Sequence, residues 1–466
     1  MANDTNELNT KLCILGAGPA GYVAAIRAAQ LGASVVLIEK TEVGGTCLNV
    51  GCIPTKALLK TAESLEIIKK GGEVGVNATV SSIIMGNAVS RKDRIVKGLK
   101  IGLESLLSNP KITLIRGEGI IESSSRIKVK TESKNLLVNC DKLIIASGSN
   151  PLLPNIPGIE IEGVITSNEA INLTEVPASI TIVGAGAIGL EFATLFNAIG
   201  SKVTVVELQD KILPQEDPEI TAELLKIMKR QGIKFKLKTS IKSIRKTDSG
   251  FATTLDEAGN ETEITSEKIL IAIGRKLNLT PDIETLGLKL NGKAIAVNEF
   301  METSISGVYA AGDVIGGKLL AHLAFAEGKA AVENACGGNT KINYNAVPSC
   351  VYTHPEVASV GMTEAEAISN NIKVKVGRFD FRNNGRSLCQ GQRDGFIKVV
   401  IDEKTGVILG AQILGSQASE LISEFTLAIS LKAKAEDLAN MIHPHPTLSE
   451  AVMEACGDAL GKAIHK

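Results

Sequence analysis

The sequence has few cysteines, nearly balanced charge and no long apolar run. Eight cysteines in 466 residues are too sparse for the disulfide framework of a small secreted protein. Fifty basic residues stand against 51 acidic ones, so the net charge favours neither nucleic acid nor an anionic membrane. No apolar run reaches the roughly 18 residues of a membrane span, and no cysteines and histidines have the spacing of a metal site. Residues 1–7 are polar and acidic, which predicts a cytoplasmic protein without a targeting segment.

The abundant residues indicate an α/β protein of several domains. At 466 residues the chain is too long for one core and should divide into roughly three domains. An apolar content of 44% and a total of 45 glycines fit an enzyme with many tight turns between strands and helices.

Residues 11–39 have the pattern strand, glycine turn, helix and strand, which is typical of a dinucleotide-binding βαβ unit. In Gly16-x-Gly18-x-x-Gly21 the first glycine makes the turn, the second admits a pyrophosphate and the third lets the helix pack closely on the strand. Glu39 ends the second strand, where a carboxylate accepts hydrogen bonds from a ribose diol. The first part of the chain is therefore predicted to bind a dinucleotide.

The same pattern returns 168 residues later. Gly184-x-Gly186-x-x-Gly189 repeats the glycine turn, and Glu207 repeats the acid at the end of the second strand. Two dinucleotide sites are therefore predicted. Because Glu207 would repel a 2′-phosphate and residues 208–210 contain no arginine, the second site is expected to prefer NAD over NADP.

Cys47 and Cys52 follow the first glycine unit and are separated by four residues. In an ideal helix, Cα atoms five positions apart lie roughly 8 to 9 Å apart, beyond the about 7 Å that a disulfide tolerates. A bridge would therefore need a distorted turn, which Gly51 permits. One interpretation is a strained, reducible disulfide. In its reduced form, a nearby helix N-terminus would lower the pKa of the cysteine thiols. The alternative is two ordinary buried cysteines.

Residues 307–314 read as a strand that ends in Gly312-Asp313. A carboxylate at the carboxyl end of a strand lies where nucleotides bind in doubly wound sheets, although an aspartate there also suits a helix N-cap. Residues 142–149 and 268–275 resemble each other and are predicted to close the two nucleotide units. The alternation at 233–238 predicts an amphipathic strand whose lysines face solvent.

The chain after about residue 345 has neither a glycine motif nor a cysteine pair. Two helices are predicted near its end, preceded by strands near 350–360, 395–401 and 407–415. Its most specific feature is His443-Pro-His445-Pro-Thr447-x-x-Glu450. His445 suits proton transfer near neutral pH, and Glu450 would stabilise the charged imidazole. The pair Thr447 and Glu450 fits a capping box equally well.

Together these motifs resemble the flavin-dependent pyridine nucleotide–disulfide oxidoreductases over nearly the whole chain. The resemblance implies an α/β fold with two dinucleotide-binding, Rossmann-like domains and a C-terminal α+β dimerisation domain. The implied segments are 1–150 for the first part of the FAD-binding domain, 151–275 for the NAD-binding domain, 276–345 for the second, central part of the FAD-binding domain, and 346–466 for the dimerisation domain.

The resemblance also implies the roles of the site residues. Cys47 and Cys52 would form the redox disulfide, with Cys52 beside the flavin and Cys47 exchanging with substrate. His445 and Glu450 would be an acid–base pair that reaches the disulfide of the other subunit. An ion pair near the flavin would be formed by Lys56 and Glu191.

The implied ligand contacts are more numerous. FAD would be bound by Gly16, Gly18, Gly21, Glu39, Lys40, Gly45, Thr46, Lys56, Ser147, Gly148 and Asp313. NAD would be bound by Gly184, Gly186, Ile188, Gly189, Glu191, Glu207 and Gly274. No metal is expected.

The activity implied by the resemblance is oxidation of protein-bound dihydrolipoamide by NAD⁺ in a homodimer. The partners would be the lipoyl domains of acyltransferases in 2-oxo acid dehydrogenase complexes, or the glycine cleavage H-protein. A rival interpretation is an NAD(P)H-dependent reductase of another disulfide, similar to glutathione reductase. A non-catalytic, flavin-stabilised scaffold subunit is a third interpretation, but a scaffold has no need for Cys47, Cys52 and His445 together.

Overall fold

The computed structural model describes residues 6–466, so residues 1–5 of the acidic start lie outside the described part. The chain divides into two compact units. The first contains the described part of Met1–Ala57 with Asn87–Leu152 and Arg275–Ile342, and the second contains Leu58–Gly86, Leu153–Gly274 and Asn343–Lys466. Between residues 6 and 466, no helix is both long enough and apolar enough to cross a membrane.

The first unit is built on a largely parallel sheet. In spatial order its parallel strands are Ile112–Arg116, Val35–Glu39, Asn6–Leu15, Asn135–Ile145 and Val308–Ala310. The antiparallel strands Arg126–Lys130 and Glu118–Ser123 extend it beside Asn135–Ile145. Val35–Glu39 is buried along its whole length, because helices and loops cover both faces of a parallel sheet. The predicted βαβ unit at 11–39 is thus present.

Two helices that lie on this sheet pack closely against each other. A Cβ at Gly328, in Ala321–Ala335, would lie 2.2 Å from the carbonyl oxygen of Ala20, in Pro19–Gln30, so this contact requires glycine. Other helices begin or lie in this part of the chain: Gly45–Asn49, Cys52–Lys70, Met85–Leu107 and Pro281–Thr285. Short antiparallel strands complete it: Ser149–Pro151 with Arg275–Leu277, and Leu290–Asn291 with Ala294–Ile295.

The second unit contains the repeated nucleotide fold. Its parallel strands are, in spatial order, Lys234–Lys236, Lys202–Val206, Ser179–Val183, Lys268–Ile271 and Val164–Ile165. Its helices are Ser167–Ala170, Ala187–Ala198 and Pro218–Arg230, and an antiparallel sheet follows from Thr239–Thr247, Gly250–Glu257 and Asn260–Ser266. The strand predicted over 233–238 is shorter, because Lys238 has a left-handed φ of 53°. Lys236 forms an ion pair with Glu257, so the prediction that the lysines only face solvent is wrong there.

The C-terminal part of this unit is an antiparallel sheet covered by helices. The strands are, in spatial order, Ser349–Val351, Glu356–Gly361, Ile408–Gly415, Phe396–Asp402 and Val374–Asp380. The helices are Glu364–Ser369, Gly385–Cys389, Ala418–Leu431, Ala435–Ala439 and Glu450–Ala459.

Three expectations for the C-terminal part were wrong. The strand expected near 350–360 is two strands, because His354 and Pro355 interrupt it. The strand Val374–Asp380 was not predicted, since a packing glycine weakens its pattern; a Cβ at Gly377 would lie 2.1 Å from the carbonyl oxygen of Ala455. Three helices, rather than two, follow the last strand within the described residues.

A buried lysine connects this C-terminal sheet to the nucleotide fold of the same unit. The side chain of Lys398 is 3% exposed, and its Nζ lies 3.1 Å from Asp217, 2.5 Å from Glu219 and 2.9 Å from Glu364. Asp217 also caps helix Pro218–Arg230 by accepting the backbone N–H of Glu219. Burial lowers the pKa of Lys398, but the three carboxylates outweigh it and raise that pKa.

We expect Lys398→Met to destabilise the second unit by about 3 to 5 kcal/mol, because it leaves the buried Asp217 carboxylate without its cation. Urea unfolding followed by circular dichroism measures the effect. The matched control is Lys375→Met on the neighbouring strand, where the lysine is exposed and the midpoint should not change. Equal midpoints for the two variants would contradict this account.

Candidate active site

Cys47 and Cys52 lie in two helices separated by a sharp turn. Cys47 is in helix Gly45–Asn49, and Cys52 is the first residue of helix Cys52–Lys70. Val50 leaves helical geometry and donates its N–H to the carbonyl oxygen of Thr46 at 2.9 Å. A Cβ at Gly51 would lie 2.9 Å from that oxygen, so the turn requires glycine. The interruption inferred from the cysteine spacing is therefore present.

Both cysteines are thiols in the structure and share a hydrogen bond. This hydrogen bond, followed by burial, raises the pKa of Cys47 far above its ordinary value, while Lys56 acts in the opposite direction. The expectation that a helix N-terminus lowers the pKa was thus wrong for Cys47, because its proton is held by the Cys52 sulfur. Cys52, in contrast, is the first residue of a long helix and so lies at the positive end of its dipole.

The cysteine segment begins directly against the first glycine turn. Gly45 has a φ of 57°, and a Cβ there would lie 2.7 Å from the Cα of Gly18. Gly44 donates its N–H to the carbonyl oxygen of Ala17 at 2.8 Å. These contacts place the cysteines beside the N-terminus of helix Pro19–Gln30.

The first glycine turn leaves the start of this helix open. A Cβ at Gly16 would lie 2.3 Å from the Ala146 carbonyl oxygen, and one at Gly21 would lie 1.7 Å from that of Gly16. At Gly18, in contrast, the nearest atom to an added Cβ is 3.9 Å away. In the described part of the chain, no side chain caps this N-terminus, so its N–H groups are available to an anion.

The second glycine turn repeats this arrangement. A Cβ at Gly184 would lie 2.4 Å from the Ala272 carbonyl oxygen, and one at Gly189 would lie 2.0 Å from that of Gly184. Nothing lies within 4 Å of a Cβ added at Gly186, and among residues 6–466 no side chain caps helix Ala187–Ala198. Ile188 is half-buried in that helix, and Gly274 has a φ of 131° at the end of the closing segment.

The acids that follow the two glycine turns make equivalent contacts. Glu39 accepts the Ala17 N–H at 2.7 Å and the Thr41 N–H at 2.8 Å. Glu207 accepts the N–H groups of Ala185, at 2.7 Å, and Gln209, at 2.8 Å. A carboxylate has about four acceptor positions, so Glu207 retains two for a ribose diol. Glu39 also binds the Thr41 hydroxyl and retains one, and its neighbour Lys40 is exposed.

Strand Val308–Ala310 ends before the predicted Gly312-Asp313, so Asp313 follows the carboxyl end of the strand, and its side chain does not cap a helix. It begins the short turn Asp313–Ile315, whose cap is Gly312. Its Oδ2 accepts the hydroxyl of Ser149 at 2.5 Å and lies 3.7 Å from Nε of Arg275. The N-cap alternative is therefore wrong.

Arg275, Ser149 and Asn278 belong to this cluster and were not assigned from the sequence. The segments 142–149 and 268–275, recognised as similar, meet where Arg275–Leu277 pairs with Ser149–Pro151. Asn278 donates its side-chain amide to the Ser147 carbonyl oxygen at 2.9 Å, and its carbonyl oxygen accepts the Ser147 hydroxyl at 2.9 Å. The same residue donates its backbone N–H to Gly148, which has a φ of 71°.

His445 and Glu450 form a hydrogen-bonded pair in the second unit. The His445 Nδ1 lies 2.8 Å from Glu450 Oε1, and the imidazole is 80% exposed. The other carboxylate oxygen accepts the backbone N–H of Thr447 at 2.8 Å. The N-cap position of helix Glu450–Ala459 is Ser449, which makes no side-chain capping hydrogen bond, so Thr447 is not the N-cap. The Glu450 carboxylate thus accepts the Thr447 backbone N–H, as it would in a capping box, and it also orients the His445 ring.

Glu191 and Lys56 lie in different units. The Glu191 side chain is 5% exposed and accepts the backbone N–H of Tyr352 at 3.1 Å. Burial, more than nearby carboxylates, raises the pKa of Tyr352 to about 12. Lys56 lies one helical turn after Cys52 and is half-buried. Their ion pair stays a prediction.

Residues 10–328 match the family model described as pyridine nucleotide-disulphide oxidoreductase, and residues 347–456 match the dimerisation domain of that family. A Bacillus subtilis protein named dihydrolipoyl dehydrogenase is 41% identical over 97% of this chain and 98% of its own length. One of that name from Halobacterium salinarum is 40% identical over 98% of this chain and 97% of its own length.

Solved structures are also similar. The structure of LpdA from Mycobacterium tuberculosis superposes with a TM-score of 0.89 at 26% identity, covering 96% of this chain and 99% of that one. The HOCl-induced flavoprotein disulfide reductase RclA from Escherichia coli, as its Cu(II) complex, gives a TM-score of 0.86 at 27% identity, covering 97% and 99%.

The two glycines of the second turn should respond differently to alanine. Gly186→Ala places a methyl group in open space at the helix N-terminus, so we expect KM for NAD⁺ to rise at least about tenfold with no change in melting temperature. Gly189→Ala forces a methyl group against the Gly184 carbonyl, so we expect a loss of about 1 to 3 kcal/mol of stability. Steady-state kinetics and thermal unfolding check the pair, and identical behaviour would refute it.

Glu450 should contribute to stability in a pH-dependent way. Burial raises its pKa, but the Thr447 N–H and the His445 ring outweigh burial and hold the pKa below its usual value. The contribution is therefore present above the ordinary pKa and is lost as pH falls through the lowered one. We expect Glu450→Gln to cost about 1 to 2 kcal/mol at pH 7, and progressively less as pH falls from about 4.5 towards pH 3.

Thermal unfolding at several pH values measures this difference. The exposed Glu403→Gln serves as the matched control and should show no such trend. A Glu450→Gln penalty of the same size at pH 7 and at pH 3 would contradict this expectation.

Proposed function

The chain belongs to the pyridine nucleotide–disulphide oxidoreductase family, and we propose that it is a dihydrolipoyl dehydrogenase, which oxidises dihydrolipoamide with NAD⁺. The observation that supports this proposal most directly is the hydrogen-bonded pair of Cys47 and Cys52 beside the first glycine turn. A dithiol at a dinucleotide helix suits electron exchange between a thiol substrate and a bound nucleotide.

The enzyme uses FAD and NAD(H), and we assign each to one glycine turn. The open helix start at Gly18 suits the FAD pyrophosphate, with Glu39 on the ribose and Asp313 on the flavin side. The open start at Gly186 and the two unused acceptor positions of Glu207 suit NAD rather than NADP.

The other ligand residues and the domain segments are likewise assigned either to FAD at the first glycine turn or to NAD at the second. The remaining FAD contacts would be Gly16, Gly21, Lys40, Gly45, Thr46, Lys56, Ser147 and Gly148. The remaining NAD contacts would be Gly184, Ile188, Gly189, Glu191 and Gly274. The domain segments proposed are 1–150 and 276–345 for FAD, 151–275 for NAD, and 346–466 for dimerisation.

The thiol chemistry is assigned to the cysteines and His445. His445 removes a proton from a substrate thiol, and Glu450 stabilises the resulting imidazolium. The substrate thiolate attacks the Cys47 sulfur of the Cys47–Cys52 disulfide, forming a mixed disulfide and releasing Cys52 as thiolate. The second substrate thiolate displaces Cys47, so lipoamide leaves and the two cysteines hold its two electrons. FAD, when bound, supplies the acceptor through which those electrons reach NAD⁺ as hydride. Kinetics should therefore be ping-pong.

The dimerisation domain supports a homodimer. Ile442, next to the His443–His445 segment, is 95% exposed, and Leu427 and Leu431 on helix Ala418–Leu431 are 61% and 71% exposed. We assign this apolar surface to the second copy, with His445 serving the disulfide of that copy. The proposed partners are lipoyl domains of 2-oxo acid dehydrogenase complexes or the glycine cleavage H-protein, and the proposed location is the cytoplasm.

The proposal is tested by an absorbance titration of the purified flavoprotein with dihydrolipoamide, followed by NAD⁺ or NADP⁺. Dihydrolipoamide should produce a long-wavelength band, from a thiolate beside the flavin, that NAD⁺ clears and NADP⁺ does not. The rival NAD(P)H-dependent reductase predicts no reduction by dihydrolipoamide, or reoxidation only by NADP⁺, and either result would reject our assignment.

Variants separate catalysis from fold. Cys47→Ser and Cys52→Ser should abolish dihydrolipoamide oxidation, and His445→Gln should reduce kcat about 10²- to 10⁴-fold through loss of the general base. The control is Cys389→Ser, an exposed thiol outside the site. Full turnover by Cys52→Ser would favour the scaffold interpretation instead.

A further inference from the structure

Arg275 lies at the centre of the first unit's polar cluster. Its Nε donates to the Ser149 hydroxyl at 2.7 Å, and its Nη2 donates to the Ser149 carbonyl oxygen at 2.6 Å. The same Nη2 donates to the hydroxyl of Thr46 at 3.2 Å. Its Nε lies 3.7 Å from Asp313, which also binds Ser149, so one guanidinium contacts three segments of the chain.

The contact with Thr46 connects Arg275 to the cysteine turn. Thr46 precedes Cys47, and its carbonyl oxygen accepts the Val50 N–H at the turn that leads to Cys52. The fork of a guanidinium has a fixed planar geometry, so holding Ser149 and Thr46 together restricts where Thr46 can lie. Arg275 therefore adds a side-chain contact to the backbone contacts that hold the turn.

Arg275 also acts on the cysteines by its charge. Its side chain is only 12% exposed, and burial lowers the pKa of Arg275 while Asp313 and the Cys52 thiolate act to raise it. A buried cation is weakly screened by solvent, so its attraction for a thiolate is stronger than at the surface. Lys56 is the cation that acts on Cys47.

We propose that Arg275 is a positioning residue of the redox site, whose guanidinium holds Thr46 and Asp313 in place and supplies the positive charge that stabilises the Cys52 thiolate. This inference deepens the proposed function and rests on it for the meaning of the thiolate. In the thiol exchange, Cys52 is the leaving group when substrate attacks Cys47, and a stabilised thiolate leaves faster. Arg275 thereby favours the direction of attack on Cys47.

The test measures ionisation of Cys52 without substrate or nucleotide. In the flavin-loaded Cys47→Ser protein, Cys52 is the only thiol of the pair, and iodoacetamide alkylates its thiolate to a thioether with release of iodide. Peptide mass spectrometry follows Cys52 labelling between pH 5 and pH 9 in three versions, which have Arg275, Arg275→Met or Arg275→Lys.

Arg275→Met should raise the midpoint of the pH profile, so that alkylation below the midpoint is at least about tenfold slower, which corresponds to one pKa unit. Arg275→Lys keeps the positive charge but loses the planar contacts of the guanidinium. Its rate of Cys52 alkylation should stay within about threefold of the rate with Arg275. A merely structural arginine would lower the melting temperature and flavin content of both variants and leave the midpoint unchanged.

An unchanged midpoint in Arg275→Met would overturn the proposal. If that variant does not fold, Arg275→Gln, which keeps N–H donors for Ser149, decides by the same criterion. Because the assay contains neither dihydrolipoamide nor NAD⁺, its result is independent of the turnover measurements. A normal midpoint with normal turnover rejects the role of Arg275 alone, whereas a shifted midpoint without dihydrolipoamide oxidation rejects the proposed substrate.

Discussion

The backbone of the cysteine segment touches the backbone of the first glycine turn, and the redox site depends on this contact. A side chain at Gly45 would strike Gly18, and Gly44 is tied to Ala17 by a hydrogen bond. Such an approach is available only to residues without a Cβ. It brings the cysteine segment to the helix N-terminus that we assign to a cofactor pyrophosphate, so the nucleotide fold and the cysteine segment are joined through their backbones.

The chain contains two similar βαβ units, but different segments surround their glycine turns. Glu39 and Glu207 accept the N–H groups at equivalent positions, and the two glycine turns meet the same kinds of atoms. Only the first turn receives the cysteine segment and the cluster of Asp313, Ser149 and Arg275. We assign the bound cofactor to that turn and the exchanging nucleotide to the other, since a co-substrate that must leave each cycle needs fewer fixed partners.

Local chemistry explains which parts of the molecule were predictable. Glycine turns, the spacing of 168 residues and the alternation of apolar residues are properties of neighbours in sequence, so the two nucleotide folds and most of their strands were recognised. Val374–Asp380 was missed because its glycine packs against a distant helix. The pKa of Cys47 was given the wrong direction because the hydrogen bond from Cys47 to Cys52 depends on the turn between them.

By itself the sequence determined that two dinucleotide folds, a spaced cysteine pair and a terminal histidine–glutamate pair are present, because each is a short-range pattern with its own chemical requirement. Only the tertiary structure decided how those groups are held. The role of Arg275 could not be inferred from the sequence, because Ser149, Thr46 and Asp313 are far from it along the chain. Strand pairing brings Ser149 to it, and the tertiary fold brings Thr46 and Asp313. Glu450 could be both a backbone acceptor and a partner of His445 because a carboxylate has two oxygens that point in different directions.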